Sequence, residues 1–419
     1  MKRDLSGFLW LLTPLLAVVA LKRIVHQAGE LLAGTGYSAA FDLHLRYVET
    51  TRWFAGTYVY AETQADYPPA SYAFLGPLIG SLDWPSARLA WLACSLGALA
   101  ALSWMMVRAV ERRPGTRALA AVLPWAAYGS ALTLGVGQLG LICLATGLGG
   151  ILLAHKTGQS RLRIGGAALL FTLSLVKPSL TAPWFWLLLL ASPAAACLAV
   201  VLYGAATLAA CAFQPGPLSR LLTGWIDNGH VHAARGYGNV ADWAAVLGFG
   251  TWIVPLGLAL LAALFVWILR HSHADIWILL GVSAFVARFF TYHYYVDDLL
   301  ILVPMIALLR LATQGPESPL RDAAATAFLL AALAQLTPTR LFTELGPQVA
   351  RATEGVQILV WLVAVGVLIR AAGSSTARNG WPGLPGSSYS LQDTPGACRA
   401  GGFQENDHGS LLSRRRDSR

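Results

Sequence analysis

Runs of about twenty apolar residues, broken by short polar stretches, occupy nearly all of the chain as far as residue 371. They are apolar on every side and not along one stripe, so they predict helices bathed in lipid or packed on one another. Phe8 to Leu21 follows Lys2 and Arg3 and has no clean small-residue cleavage site behind it, which predicts a first span with its N-terminus in the cytoplasm, not a removed signal peptide. Further spans are expected at about 86–107, 118–134, 139–154, 194–213, 251–269, 274–291, 299–311, 322–337 and 355–371. The long run from Ile164 to Leu190 is interrupted at Lys177-Pro178, and because proline disrupts a helix interior it reads as two shorter spans. The pattern thus predicts about twelve crossings.

Polar positions are unevenly spread. The stretch Phe41–Tyr72, FDLHLRYVETTRWFAGTYVYAETQADYPPASY, holds Asp42, His44, Arg46, Glu49, Arg52, Glu62 and Asp66. Ionisable groups beside a bilayer are costly, so such a concentration between two spans needs a reason; an ordinary aqueous loop is one, a site is the other. It falls within a long first external loop, residues 22–85, whose aromatic run Trp53, Phe54, Tyr58 and Tyr60 predicts contact with the interfacial layer. A second long external loop runs from Gln214 to Gly250. Residues 372–419 are rich in Gly, Ser, Pro, Asp and Arg without an apolar period, so a transmembrane domain over 1–371 is expected to precede a disordered cytoplasmic tail.

Composition sharpens the class. Of 419 residues 56% are apolar and 12% charged, with a mean hydropathy of +0.56, too hydrophobic for a soluble globule. The fold class is an all-α polytopic integral membrane protein. The net charge of +9 does not indicate nucleic acid, because the basic residues gather in short loops: Arg108, Arg112, Arg113 and Arg117, then Lys156, Arg161 and Arg163, then Arg270. Those loops read as cytoplasmic, and the turn Gly135–Gln138 between two of them as external. Cys94, Cys143, Cys197 and Cys211 lie in apolar runs and Cys398 in the tail, with neither a CxxC pair nor zinc spacing.

With this topology Asp42, His44, Asp66, Tyr67, Gln138, Lys177, Asn228, His230, His232, Asn239, Asp242, His293, Asp297 and Asp298 all fall on the external side. One-sidedness favours chemistry at the outer surface over a transport path, which would place polar groups near the midplane of several helices.

These residues sit in segments that carry a resemblance. FD at Phe41, YPPASYAFLGPL from Tyr67, LGVGQLGLICLATG around Gln138, KPSL at Lys177, GNVADWAAVLG at Asn239 and RFFTYHYYVDDLLILVPMIAL around His293 follow one another in the order found in glycosyltransferase family 87. The chain resembles that family over residues 1 to about 371. The resemblance implies a GT-C-like bundle in the cell's cytoplasmic membrane. It also implies transfer of a sugar, typically mannose, from a polyprenyl-phosphate donor to a hydroxyl of a lipid or glycan acceptor on the extracytoplasmic face. Phe41-Asp42-Leu43-His44 and Asn239-Val240-Ala241-Asp242 depart from the family's usual runs.

Such a reaction needs a base for the attacking hydroxyl, a cation for the departing phosphate and a dry site. Asp42 is the candidate base, since a shielded carboxylate is a stronger proton acceptor; a loop or helix-cap aspartate is the other reading. The resemblance sets His293 beside it, where an interfacial aromatic-belt histidine is equally in keeping with Tyr292-His293-Tyr294-Tyr295. Lys177, next to a helix-breaking proline, and Arg288 are candidate donor-phosphate ligands, with snorkelling as the alternative for both. His44, Tyr67, Gln138, Asn239 and Asp242 are candidate substrate contacts, although Tyr67-Pro68-Pro69 also shapes the entry to the second span. Asp297-Asp298 opens a helix, where the helix dipole explains paired carboxylates, so neither a metal nor another cofactor is expected. A lipid-linked glycan polymerase or ligase, using Arg220, His230, His232 and Arg235, is the alternative function; a secondary transporter would need a second broken helix that the sequence lacks.

Overall fold

The computed structural model describes residues 5–34, 39–61, 65–156, 160–233, 239, 244, 247–291, 293–315, 317–338, 342 and 344–374. The proposed tail, from 375 onward, lies outside the described residues. What is described is helical, with no strand among those residues.

Helix α1 covers Leu5–Ala33, so the first apolar run does not end its helix at Leu21 as expected. The helix continues through Lys22 and Arg23 because the Arg23 guanidinium finds acceptors inside the bundle, donating to the carbonyls of Ala126 at 2.5 Å and Leu336 at 2.6 Å. A charge satisfied in this way need not mark a membrane boundary. The segment between the first two expected spans is likewise no plain loop. It contains α2 (Phe41–Phe54), α3 (Pro69–Leu75) and a π turn over Gly76–Gly80.

Then follow α4 (Trp84–Ala109), α5 (Pro114–Ala126), α6 (Tyr128–Val136), α7 (Gly140–Ala154), α8 (Arg161–Ser174), α9 (Pro178–Thr181), α10 (Phe185–Ala191) and α11 (Pro193–Cys211). Beyond them lie α12 (Leu218–Ala233), α13 (Ile253–Arg270), α14 (Ile276–Phe289), a 3-10 turn over Tyr295–Ile301, α15 (Leu302–Gln314), α16 (Pro319–Leu336) and α17 (Pro347–Gly373). The stretch Gln214–Gly250, expected as an external loop, therefore holds a helix too. Many starts are written in the sequence as a Ser or Asp cap followed by proline: Asp83 accepts from Ser86 N, Ser192 from Ala195 N and Ser318 from Arg321 N.

Among the described residues five helical stretches are long and apolar enough to cross a membrane: Trp84–Ala109, Pro114–Val136, Pro193–Cys211, Ile253–Arg270 and Pro347–Gly373. Shorter apolar helices cover Gly140–Ala154, Pro178–Ala191 and Ile276–Phe289. The protein is thus multi-pass, but length and composition do not reach the expected twelve crossings. Several helices are short because prolines and glycines cut them, as at Lys177-Pro178 and Gly137. Large apolar side chains on α11 and α13, among them Val200, Val201, Leu208 and Leu258, are exposed. That suits helices whose outer surface meets lipid.

A second, smaller core anchors α2 to the bundle. Trp53 is fully buried, stacks on Tyr72 at 4.2 Å and donates its indole N–H to the Ala210 carbonyl of α11 at 2.8 Å. Gln214 returns a bond to the Trp53 carbonyl at 2.6 Å. Truncating so large a buried aromatic removes packing and strands a carbonyl, so Trp53→Ala should destabilise the protein by about 3–5 kcal/mol. Thermal denaturation of the purified protein in detergent checks this, and an unchanged midpoint would contradict it.

Candidate active site

The site begins with how α2 starts. Ala40 is in the left-handed region, φ 52°, strained for a residue with a Cβ, and its N–H bonds the Gly135 carbonyl at 3.0 Å while its own carbonyl accepts from His44 N at 2.8 Å. Asp42 therefore stands in the first helical turn, tied to the end of α6. There Gly137, φ 74°, caps α6, and a Cβ on it would run into that of Leu43. Only glycine allows this approach, and the approach brings Gln138 within hydrogen-bonding reach of the Asp42 carboxylate. Gln138 is buried, and its Oε1 has no partner among the described residues.

A second strand of the site comes from the α8–α9 break. The Ser71 hydroxyl of α3 donates to the Val176 carbonyl at 2.6 Å, and Pro178 starts α9, so the backbone at Lys177 is pinned from both sides. Lys177 Nζ lies 2.6 Å from Asp297 Oδ1. The other oxygen, Oδ2, accepts from His293 Nδ1 at 3.1 Å and from Tyr294 N at 3.3 Å. Lysine, aspartate and imidazole are all buried, the two ion-pair side chains 7% and 2% exposed. Asn239 Nδ2 donates to the His293 carbonyl at 3.3 Å, and Thr133 of α6 donates to the Val296 carbonyl at 3.1 Å, which holds the 3-10 turn against α6.

Two further ionic groups flank this centre. Arg288 Nε reaches Asp298 Oδ1 at 2.7 Å, its guanidinium lies 5.1 Å from the Trp361 ring centre, and Gln335 donates to the Asp298 carbonyl at 3.0 Å. On α2, Arg46 pairs with Glu49 and Asp66, each at 2.9 Å, and lies over the Tyr67 ring at 4.4 Å. Asp42 is half-buried in this setting. Burial pushes its carboxyl above the usual aspartate range and Asp66 adds to the effect, against the pull of Arg46, Lys177 and the Gln138 hydrogen bond.

Of the residues singled out from the sequence, Asp42, Gln138, Lys177 and His293 gather into one electrostatically coupled cluster, with Tyr67 adjoining through Arg46 and Asn239 behind His293. Arg288 lies within range of His293 but is held by Asp298. His44 is exposed, edge-on to Trp84 at 5.2 Å, and makes no bond to the cluster among the described residues. Asp242 and the side chains of His230 and His232 lie outside the described residues. Asp297 and Asp298 were read as a helix start and Arg46 as one charge of the first polar stretch, none with a role in the site; the helix dipole does not account for the Asp pair, because each of the two carboxylates is matched by a cation from another element. The signal was present as a balance of charge, two acids and two bases in otherwise apolar runs, and not as a local motif. Among the described residues no group of three or more His, Cys, Asp or Glu could hold a metal ion.

Helices of membrane-crossing length around a buried ionic centre define a multi-pass membrane protein with the makings of an enzyme. The chain belongs to glycosyltransferase family 87, whose family model matches residues 66–291, and is thereby a membrane glycosyltransferase. The matched stretch holds Tyr67, Gln138, Lys177, Asn239, Asp242 and Arg288, whereas Asp42, His44, His293 and Asp297 lie outside it. No curated protein and no solved structure matches the chain.

Removing one partner of a buried ion pair leaves an uncompensated charge. Arg288→Met should therefore cost about 3–5 kcal/mol, and the double variant Arg288→Met with Asp298→Leu should recover much of that loss. Thermal unfolding of the three proteins checks it; a double variant no more stable than Arg288→Met would contradict the pairing as the source of the loss.

Proposed function

We propose that the protein transfers a hexose, mannose in the first instance, from a polyprenyl-phosphate donor to a hydroxyl of a lipid or glycan acceptor on the extracytoplasmic face of the cell membrane. The observation that carries this reading is the convergence of Asp42, Lys177 and His293, supplied by α2, the α8–α9 break and the segment after α14, on one polar centre that is buried at Lys177 and His293 and half-exposed at Asp42. The Asp42 carboxylate takes the proton of the attacking hydroxyl as that oxygen bonds to the sugar's anomeric carbon. The bond from that carbon to the phosphate oxygen breaks, and its electron pair leaves with the polyprenyl phosphate. Lys177 meets the phosphate with the ammonium hydrogens that Asp297 does not occupy. Arg288, already paired, contributes its charge from behind.

Gln138 Oε1 is an unspent buried acceptor suited to a sugar hydroxyl, and burying it unpaired otherwise costs about 1–3 kcal/mol. In this reading Tyr67 lies beside the same centre, Asn239 supports the imidazole and the exposed His44 contacts substrate nearer the surface, while Asp242, the remaining candidate substrate contact, lies outside the described residues. The sidedness is supported by the loops: those bearing Arg112, Arg113, Lys156, Arg161 and Arg270 alternate along the chain with the connections that carry Gln138, Lys177 and His293.

Membranes containing the protein should move label from polyprenyl-phosphate mannose to an endogenous lipid or glycan. Asp42→Asn should leave protein level unchanged and lower transfer by roughly 10²-fold or more. The base works only when ionised, so wild-type transfer should fall with acid along a limb centred above the ordinary aspartate value of about 3.9. Near-native transfer by Asp42→Asn, or an acid limb at or below that value, would contradict the assignment.

A further inference from the structure

We infer that Asp297 is the positioning residue of this site, its two oxygens fixing the Lys177 ammonium and the Nδ1–H of His293 so that His293 Nε2 is presented as a lone-pair acceptor. The inference rests on the transfer reading for its effect on rate, but its structural content does not.

The argument starts from what an ionised carboxylate can do. It has no proton to give, so every neighbour within bonding distance must be a donor. Lys177 Nζ sits at 2.6 Å on Oδ1, and the Tyr294 backbone N–H and His293 Nδ1 share Oδ2 at 3.3 and 3.1 Å. His293 Nδ1 is therefore protonated. The imidazole is fully buried, and burial holds it below its ordinary value against the opposing pull of Asp297, so the ring is neutral. A neutral ring protonated on Nδ1 has its lone pair on Nε2. That atom is buried and has no partner among the described residues. It is shaped to receive an O–H.

Lys177 is fixed by the same group. One of its three ammonium hydrogens is committed to Asp297, which leaves the others for an anion and keeps the side chain from withdrawing along its flexible stem. A single carboxylate thus sets the distance between the phosphate-side cation and the hydroxyl-side imidazole. An amide in its place cannot do both: it has one accepting oxygen and one donating nitrogen. If the oxygen keeps Lys177, the NH2 faces His293 Nδ1, and the ring proton moves to Nε2, turning an acceptor into a donor. A carboxylate–imidazole pair in proteases shows the same loss of the productive tautomer on amide substitution.

The full-length protein, labelled with 15N-histidine and placed in lipid nanodiscs, is measured by NMR as wild type, Asp297→Asn and Asp297→Glu, with His293→Gln identifying the His293 signals. Wild type should show a neutral ring protonated on Nδ1, and Asp297→Asn a ring protonated on Nε2. Alongside, kcat in mannosyl transfer should fall by about 10²- to 10⁴-fold in Asp297→Asn, with partial recovery in Asp297→Glu, which keeps the charge. A wild-type ring protonated on Nε2 or doubly protonated at neutral pH overturns the inference without any variant. So does an unchanged His293 signal or an unchanged kcat in Asp297→Asn. Should wild type transfer no sugar from polyprenyl phosphate, the proposed function fails, while the NMR result still decides the role of Asp297.

Discussion

A carboxylate buried among apolar helices, as Asp297 is, must be compensated where it stands, because it is screened from bulk solvent. Asp297 is compensated twice, by the Lys177 ammonium and by the His293 imidazole, and these two bonds join the α8–α9 break to the segment after α14. Isolated charge in such surroundings costs several kcal/mol, so the elements that carry the partners are held together by that cost. The same rule pairs Arg288 with Asp298 and Arg46 with Glu49 and Asp66. Asp42 differs from these carboxylates: among the described residues it has no direct ion pair, and its neighbours are Gln138 and cations at longer range. A structure that neutralises its other buried acids and leaves this one half-open has kept it available for a proton.

The helices deliver these groups through their interruptions more than through their lengths. Gly137 ends α6 in a left-handed turn and lets α2 approach, which sets Gln138 against Asp42. Pro178 ends the α8 run and turns Lys177 inward, with the preceding carbonyl taken up by Ser71. The 3-10 turn Tyr295–Ile301 lies close against α6 and the start of α7, where Gly129 and Gly140 respectively leave room for Leu299. Each device exposes backbone polar groups within the bundle, and each is repaid by a side-chain hydroxyl or a neighbouring peptide.

Much of this layout was legible in the sequence because it is local. Apolar runs located the helices, and Lys177-Pro178 and the glycine turn before Gln138 marked the breaks. The length of α1 was not legible: Lys22 and Arg23 look like the edge of a membrane, and only the distant carbonyls of Ala126 and Leu336 explain why the helix runs on. The partnership of Lys177 with Asp297 was hidden for the same reason. It joins residues 120 positions apart, and Asp297-Asp298 taken alone matches an ordinary helix start. The number of crossings was legible only loosely, since broken helices such as α8 to α10 do not have the length that a count relies on.

The central claim is that one polar centre receives the phosphate at Lys177 and the attacking hydroxyl at Asp42. A cryo-electron microscopy map of the protein in lipid nanodiscs, saturated with a non-hydrolysable phosphonate analogue of polyprenyl-phosphate mannose, tests it most directly. The account predicts phosphonate density against the Lys177 ammonium and the sugar ring between Asp42 and His293. Density for the phosphonate elsewhere in the bundle, with this centre unchanged, would contradict it.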